Sequence, residues 1–203
     1  AEGLAAAGLR VARFEFPYMA ARRTSGRRPG PDRESVCRQT WLDVIQTLGP
    51  ERLVIGAKSM GGWMASLVAA EERTGPRSSS GTAKSISRSS SGTAKNSSKG
   101  TAKNTVAGLV CLGYPFHPAG KPDKLRIAHL ADIATPTLID QGTRDTLGNR
   151  EGVESDELSP RIEFCWLEDG DHSFKPRKKS GHPEAGHWQY AIEQIVAFVG
   201  RLA

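Results

Sequence analysis

The chain has 203 residues, room for one domain with a sizeable core, and carries a net charge of +6 with 37% hydrophobic residues. No apolar run approaches the roughly 18 residues of a membrane span, and no secretory leader is visible in a chain that begins Ala1-Glu2-Gly3. The three cysteines, Cys37, Cys111 and Cys165, are widely spaced and form no metal pattern. An odd count inside apolar segments predicts buried free thiols and a reducing, cytoplasmic setting.

Residues 1–8 read as the end of a helix with Gly8 as its C-cap. Leu9–Phe16 reads as a strand, with Val11, Phe14 and Phe16 supplying bulk and Pro17 ending it. Residues 20–33 are rich in Arg, Gly and Pro and read as a loop. Glu34–Leu48 is amphipathic, with Val36, Trp41, Leu42, Ile45 and Leu48 near helical spacing and Gly49-Pro50 as the stop. Arg52–Gly56 is a short strand. A helix reaching to about Arg73 follows it, and Gly75-Pro76 breaks that helix.

Residues 77–104 hold Arg77, Lys84, Arg88, Lys95, Lys99 and Lys103 and no acid. Basic and acidic residues balance elsewhere, so the positive charge belongs to this segment and not to the domain. The unit Ser78–Ser85 recurs as Ser89–Asn96 and, altered, as Ser97–Asn104. Almost free of large apolar side chains, it cannot offset its ordering entropy and reads as a disordered insertion. It lacks the interleaved aromatics of a single-strand nucleic-acid binder, so no specific nucleic-acid partner is expected.

Val106–Gly113 is an apolar strand followed by Tyr114-Pro115-Phe116-His117-Pro118. Lys124–Leu130 reads as a short helix. Thr137–Asp140 is a strand running into Gln141-Gly142-Thr143-Arg144-Asp145, and Arg161–Leu167 is a strand running into Glu168-Asp169-Gly170-Asp171-His172. Trp188–Leu202 is a final helix with Ile192, Ile195, Val196 and Val199 on one face. Strands alternating with helices predict a mostly parallel sheet with helices on both faces. Sites in such sheets lie beyond the carboxyl ends of the strands.

Three of those ends carry chemistry. Ser59 stands in Ala57-Lys58-Ser59-Met60-Gly61, between a strand and a helix, in the pattern of a nucleophile elbow whose first glycine is replaced by alanine. Asp145 and His172 follow two later strands. Serine is a poor nucleophile without a base, histidine can take its proton, and an aspartate can fix the imidazole tautomer. The expected catalytic set is therefore Ser59, Asp145 and His172, in that chain order, with the Met60 N–H as an oxyanion donor. Asp140, Asp169, Asp171 and His117 are weaker competitors; His129, His182 and His187 read as surface or packing residues. No cofactor or metal is implied.

The successive segments Phe14–Met19, Gly56–Gly62, Gly113–Pro118, Gln141–Asp145 and Gly170–Arg177 resemble a small α/β-hydrolase family related to dienelactone hydrolases. The resemblance also takes in testis-expressed proteins and a scaffold subunit of a nonspecific-lethal histone acetyltransferase complex. It implies a single α/β-hydrolase domain over residues 1–203, a small ester or acyl substrate, and the roles just given to Ser59, Asp145 and His172. Its scaffold member raises an alternative, a non-catalytic interaction module. The fold further implies an earlier strand and a His-Gly-rich oxyanion loop before Ala1, with that strand lying between residues 9–16 and 52–56. The expectation is an N-terminally truncated chain, which admits an inactive hydrolase as a further alternative. Arg22, Arg23, Arg27 and Arg28, with Arg177, Lys178 and Lys179, would form a basic rim around the mouth of the site.

Overall fold

Among the described residues, a four-stranded, wholly parallel sheet carries the molecule, in the order β1 (Val54–Lys58), β2 (Gly108–Leu112), β3 (Thr137–Gly142), β4 (Ile162–Leu167). This computed structural model describes residues 1–26, 28–71 and 106–202. The 77–104 insertion, Arg27 and the expected helix end at Arg73 lie outside the described residues.

Side chains alternate across the pleat, and the two faces bury different sets. Ile55, Leu109, Cys111 and Ile139 pack beneath α3 (Glu34–Leu48) and α4 (Met60–Glu71). Val110, Leu138, Cys165 and Leu167 face α6 (Glu184–Arg201), with Ile195 and Phe198 as its contribution. Helix α1 (Glu2–Ala6) sits against α6 on that second face. Both faces are thus covered, as an all-parallel sheet requires. All three cysteines are buried free thiols, as their apolar surroundings predict.

Several sequence expectations need correction. Residues 9–16 form no strand. A strand exists only through its ladder, and among the described residues nothing pairs with this segment. Aromatic packing holds it instead: Phe14 meets Trp41 edge to face at 4.6 Å, and Phe16 is buried, while Val11 is exposed. Pro17 does not end a strand but begins helix α2 (Pro17–Ser25), where its missing N–H costs nothing. The expected loop at 20–33 is therefore helical over its first part. Asp32 accepts from the Tyr18 N–H at 2.8 Å, and Gly26 ends the helix with a left-handed φ of 67°.

Residues 124–130 form no regular helix, because their backbone groups bond outside a helical ladder. The Arg126 N–H donates to Phe116 C=O at 2.7 Å, and the Tyr114 hydroxyl donates to Arg126 C=O at 2.8 Å. The last helix begins at Glu184 rather than Trp188. A short helix, α5 (Arg150–Glu154), has an Asn149 side-chain cap that the sequence reading passed over. In α3 the buried stripe is Cys37, Trp41 and Ile45; Val36 and Leu48, expected inside, are exposed.

Two titratable groups are held in unusual states by burial. Asp140, fully buried on β3, has no ordinary hydrogen-bond partner for either oxygen, and its register neighbour Cys165 is only a weak donor. Burial pushes its carboxyl up to about 7. His129 accepts from or donates to Ser66 Oγ at 2.8 Å, and burial lowers it to about 4.

Their effects on stability have opposite signs. Between about pH 4 and 7 the unfolded chain has lost the Asp140 proton and the folded chain has not. Asp140 therefore makes stability fall as pH rises, by about 1.4 kcal/mol per pH unit. Between about pH 6.5 and 4 the unfolded chain protonates His129 and the folded chain does not, so stability falls as pH drops. In Asp140→Asn, unfolding free energies from urea titrations at pH 4.5, 5.5 and 6.5 should rise more steeply with pH than in the wild type. His129→Gln should tilt the same plot the other way. Parallel lines for wild type and Asp140→Asn would contradict the buried-acid account.

Candidate active site

Strand β1 and helix α4 meet at Ser59. Its φ of 54° lies in the left-handed region, which costs a non-glycine residue about 1–2 kcal/mol. Hydrogen bonds on both sides hold it there. The Ser59 N–H donates to Leu112 C=O at the end of β2, at 2.9 Å. The Ser59 C=O accepts from the Trp63 N–H at 3.1 Å and so starts the helix. The Met60, Gly61 and Gly62 N–H groups precede that first helical bond and gain no partner from the helix itself.

The small residues around Ser59 have a steric cause. A Cβ on Gly61 would stand 2.8 Å from the Ala57 Cβ, and one on Gly62 would stand 2.8 Å from the Ala57 carbonyl oxygen. The departure from the usual glycine at position 57 is accommodated because position 61 has no side chain.

Asp145 lies just beyond β3 and is fully buried. Its Oδ2 accepts from Gln141 Nε2 at 2.9 Å and from His172 Nδ1 at 2.8 Å, and its Oδ1 accepts from the Leu147 N–H at 2.8 Å. His172 lies beyond β4, with Nε2 2.8 Å from Ser59 Oγ. Because the carboxylate accepts at Nδ1, that nitrogen carries the proton, and Nε2 is left to accept from the serine hydroxyl. The three side chains named from sequence thus share one hydrogen-bonded chain.

The competing acids have other work. Asp171 Oδ1 accepts from the Ser173 and Lys175 N–H groups at 2.8 and 3.0 Å and shapes the loop. Asp169 pairs with Arg177 and Arg144, and the Arg177 hydrogen bond above all holds its carboxyl down to about 2. Asp140 lies apart, buried among apolar residues. His117 contacts its neighbour Pro118. His187, expected at the surface or in packing, is buried, with Nδ1 2.7 Å from Phe174 C=O behind the His172 loop.

Three cations of the expected basic rim have partners within the chain. Arg23 bridges to Glu15, Arg177 to Asp169, and Arg22 donates to Pro29 C=O while lying over Tyr18. A groove of about 480 Å³, walled by Phe14, Phe16, Tyr18 and Trp41, runs along β1 to Ser59.

Gln141 is a site residue that the sequence reading missed. Fully buried, it donates to Asp145, Gly148 C=O and Tyr114 C=O and accepts from the Tyr114 N–H at 2.7 Å. It joins the β3 end, the Asp145 turn and the loop after β2. The available signal was an amide side chain near the end of a strand, four residues before the acid.

A model of the alpha/beta hydrolase domain matches residues 1–200. An alpha-beta serine hydrolase homologue from Coxiella burnetii superimposes with a TM-score of 0.50 at 17% identity, over 86% of this chain and 62% of its own. The esterase domain of a Rhodothermus marinus protein gives 0.50 at 12% identity, over 82% and 69%. A monoacylglycerol lipase from Paleococcus ferrophilus gives 0.52 at 12% identity, over 86% and 77%. At these identities the likeness is one of fold. The chain spans less than two thirds of the length of the Coxiella burnetii protein.

The Ala57–Gly61 contact sets the sign of one substitution. Gly→Ala in an ordinary helix gains up to about 1 kcal/mol. Gly61→Ala should instead destabilise by about 1–3 kcal/mol through overpacking. Adding Ala57→Gly should recover most of that loss in urea unfolding. A double variant as unstable as Gly61→Ala alone would show that the clash lies elsewhere.

Proposed function

This chain belongs to the alpha/beta hydrolase domain family, and we propose that it is a serine hydrolase cleaving small carboxylic esters or thioesters. The ester preference rests on the resemblance to dienelactone hydrolases. The observation that supports catalysis is the continuous chain Asp145–His172–Ser59, with both links at 2.8 Å. In this reading His172 Nε2 takes the Ser59 proton as Oγ bonds to the substrate carbonyl carbon. The oxyanion that forms is met by the Met60 N–H at the start of α4. Collapse expels the alkoxide or thiolate, which takes the proton from Nε2, and leaves an acyl-Ser59. Water, deprotonated by the same nitrogen, attacks the acyl carbon, releases the acid and returns the proton to Ser59. Asp145 stays ionised throughout and stabilises the imidazolium.

Labelling with a fluorophosphonate tests the assignment. Ser59→Ala should abolish labelling, and His172→Ala should slow it by about 10²–10⁴-fold, the usual worth of a general base. A folded wild-type chain that resists the probe would overturn the hydrolase reading and favour a non-catalytic interaction module.

A further inference from the structure

Lys58 is the last residue of β1 and the one before Ser59. Its side chain crosses to the loop after β4. There Nζ donates to His172 C=O at 2.6 Å and lies 5.0 Å from the centre of the Phe174 ring. Partial burial lowers its pKa, with Asp145 and Asp171 opposing the shift.

The rest of the loop is fastened on either side of His172. Asp171 holds the Ser173 and Lys175 N–H groups, His187 meets the Phe174 carbonyl, and Arg144 and Arg177 clasp Asp169. Phe174 is fully buried and has a φ of 67°, so it anchors the loop on the α6 face. The main chain of His172 itself lies between Lys58 and Gly113. A Cβ on Gly113 would stand 2.9 Å from the His172 carbonyl oxygen. Glycine lets the loop approach, and the ammonium fixes how that carbonyl points.

We propose that Lys58 is a positioning residue whose bond to the His172 carbonyl sets the imidazole so that Nδ1 meets Asp145 while Nε2 meets Ser59. The proposal deepens the hydrolase reading and rests on it for its kinetic consequence. The link runs from the nucleophile's own strand to the base's own backbone, so a shift of one carries the other. A charged donor suits the task, because charge-assisted hydrogen bonds are stronger and shorter than neutral ones. A four-carbon stem supplies the reach.

The test uses Lys58→Met, which keeps length and loses the donor, with Lys58→Arg and Lys58→Leu beside it. Thermal unfolding checks that each variant folds, and Lys58→Leu, which also lacks a donor, stands in should Lys58→Met fail. The first readout is the proton NMR signal of His172 Nδ1–H, assigned by its absence in His172→Ala. It should be present in wild type and Lys58→Arg and be lost or broadened in Lys58→Met. The second is fluorophosphonate labelling. Its maximal rate should fall by about 10–10²-fold in Lys58→Met with half-saturation unchanged, as expected when one reacting group is displaced by about an ångström.

An unchanged Nδ1 signal in Lys58→Met overturns the proposal, and so does a wild type without that signal. A wild type that shows the signal but resists labelling sinks the hydrolase reading instead. In that case loss of the signal in Lys58→Met still upholds the role of Lys58.

Discussion

Ser59 faces His172 because β1 and α4 meet at one residue held in a left-handed conformation. Strand and helix must then pass almost in contact, and the side chains at 57, 61 and 62 are limited by that approach. The same turn starts α4, whose first N–H groups gain no partner from the helix itself. In the proposed reading, nucleophile exposure and oxyanion donation would both follow from this one backbone constraint. The strain is local, of order 1–3 kcal/mol, and the ladder bond to Leu112 and the first helical bond from Trp63 hold it in place.

The second organising feature is the contrast between two buried acids five residues apart. Asp145 has three donors within 2.9 Å, so burial strengthens its bonds and fixes its direction. Asp140 has none of ordinary geometry, so burial acts on it as a penalty and raises its pKa. Both lie on the same stretch of chain. What separates them is position relative to the end of β3. Inside the strand the backbone groups are committed to the ladder. Beyond it the turn frees the Leu147 N–H, and Gln141 folds over to supply its amide. An acid that orients a histidine therefore sits past the strand and not within it.

Much of this was legible in the sequence, where residue type and local geometry coincide. The elbow needs small residues, parallel strands need apolar runs, and a candidate hydrolytic site needs a base after one strand and an acid after another; these requirements single out Ser59, Asp145 and His172, which the fold joins by hydrogen bonds. Gln141 and Lys58 did not emerge, because residue type alone does not mark which carboxylate or carbonyl a side chain meets. Lys58 reaches a carbonyl 114 positions away. Nothing in the spacing of a lysine marks such a partner. The helix at Pro17–Ser25 departs from the expected strand stop because proline is equally a helix start.

The failure at residues 9–16 has a different origin. Alternating bulk records which side chains can be buried on a pleated surface, but not whether a ladder exists to hold the backbone. At the two ends of β1, the Leu53 carbonyl and the Ser59 N–H point toward β2. Residue-by-residue alternation then turns the backbone groups of Val54, Gly56 and Lys58 to the opposite edge, toward the groove that Phe14 and Phe16 wall. Side-chain packing keeps Phe14 and Phe16 in the core although no ladder reaches them. Composition thus predicted the packing of Phe14 and Phe16 but not the exposure of Val11 or the missing ladder, because packing depends on side chains while pairing depends on which backbone lies alongside.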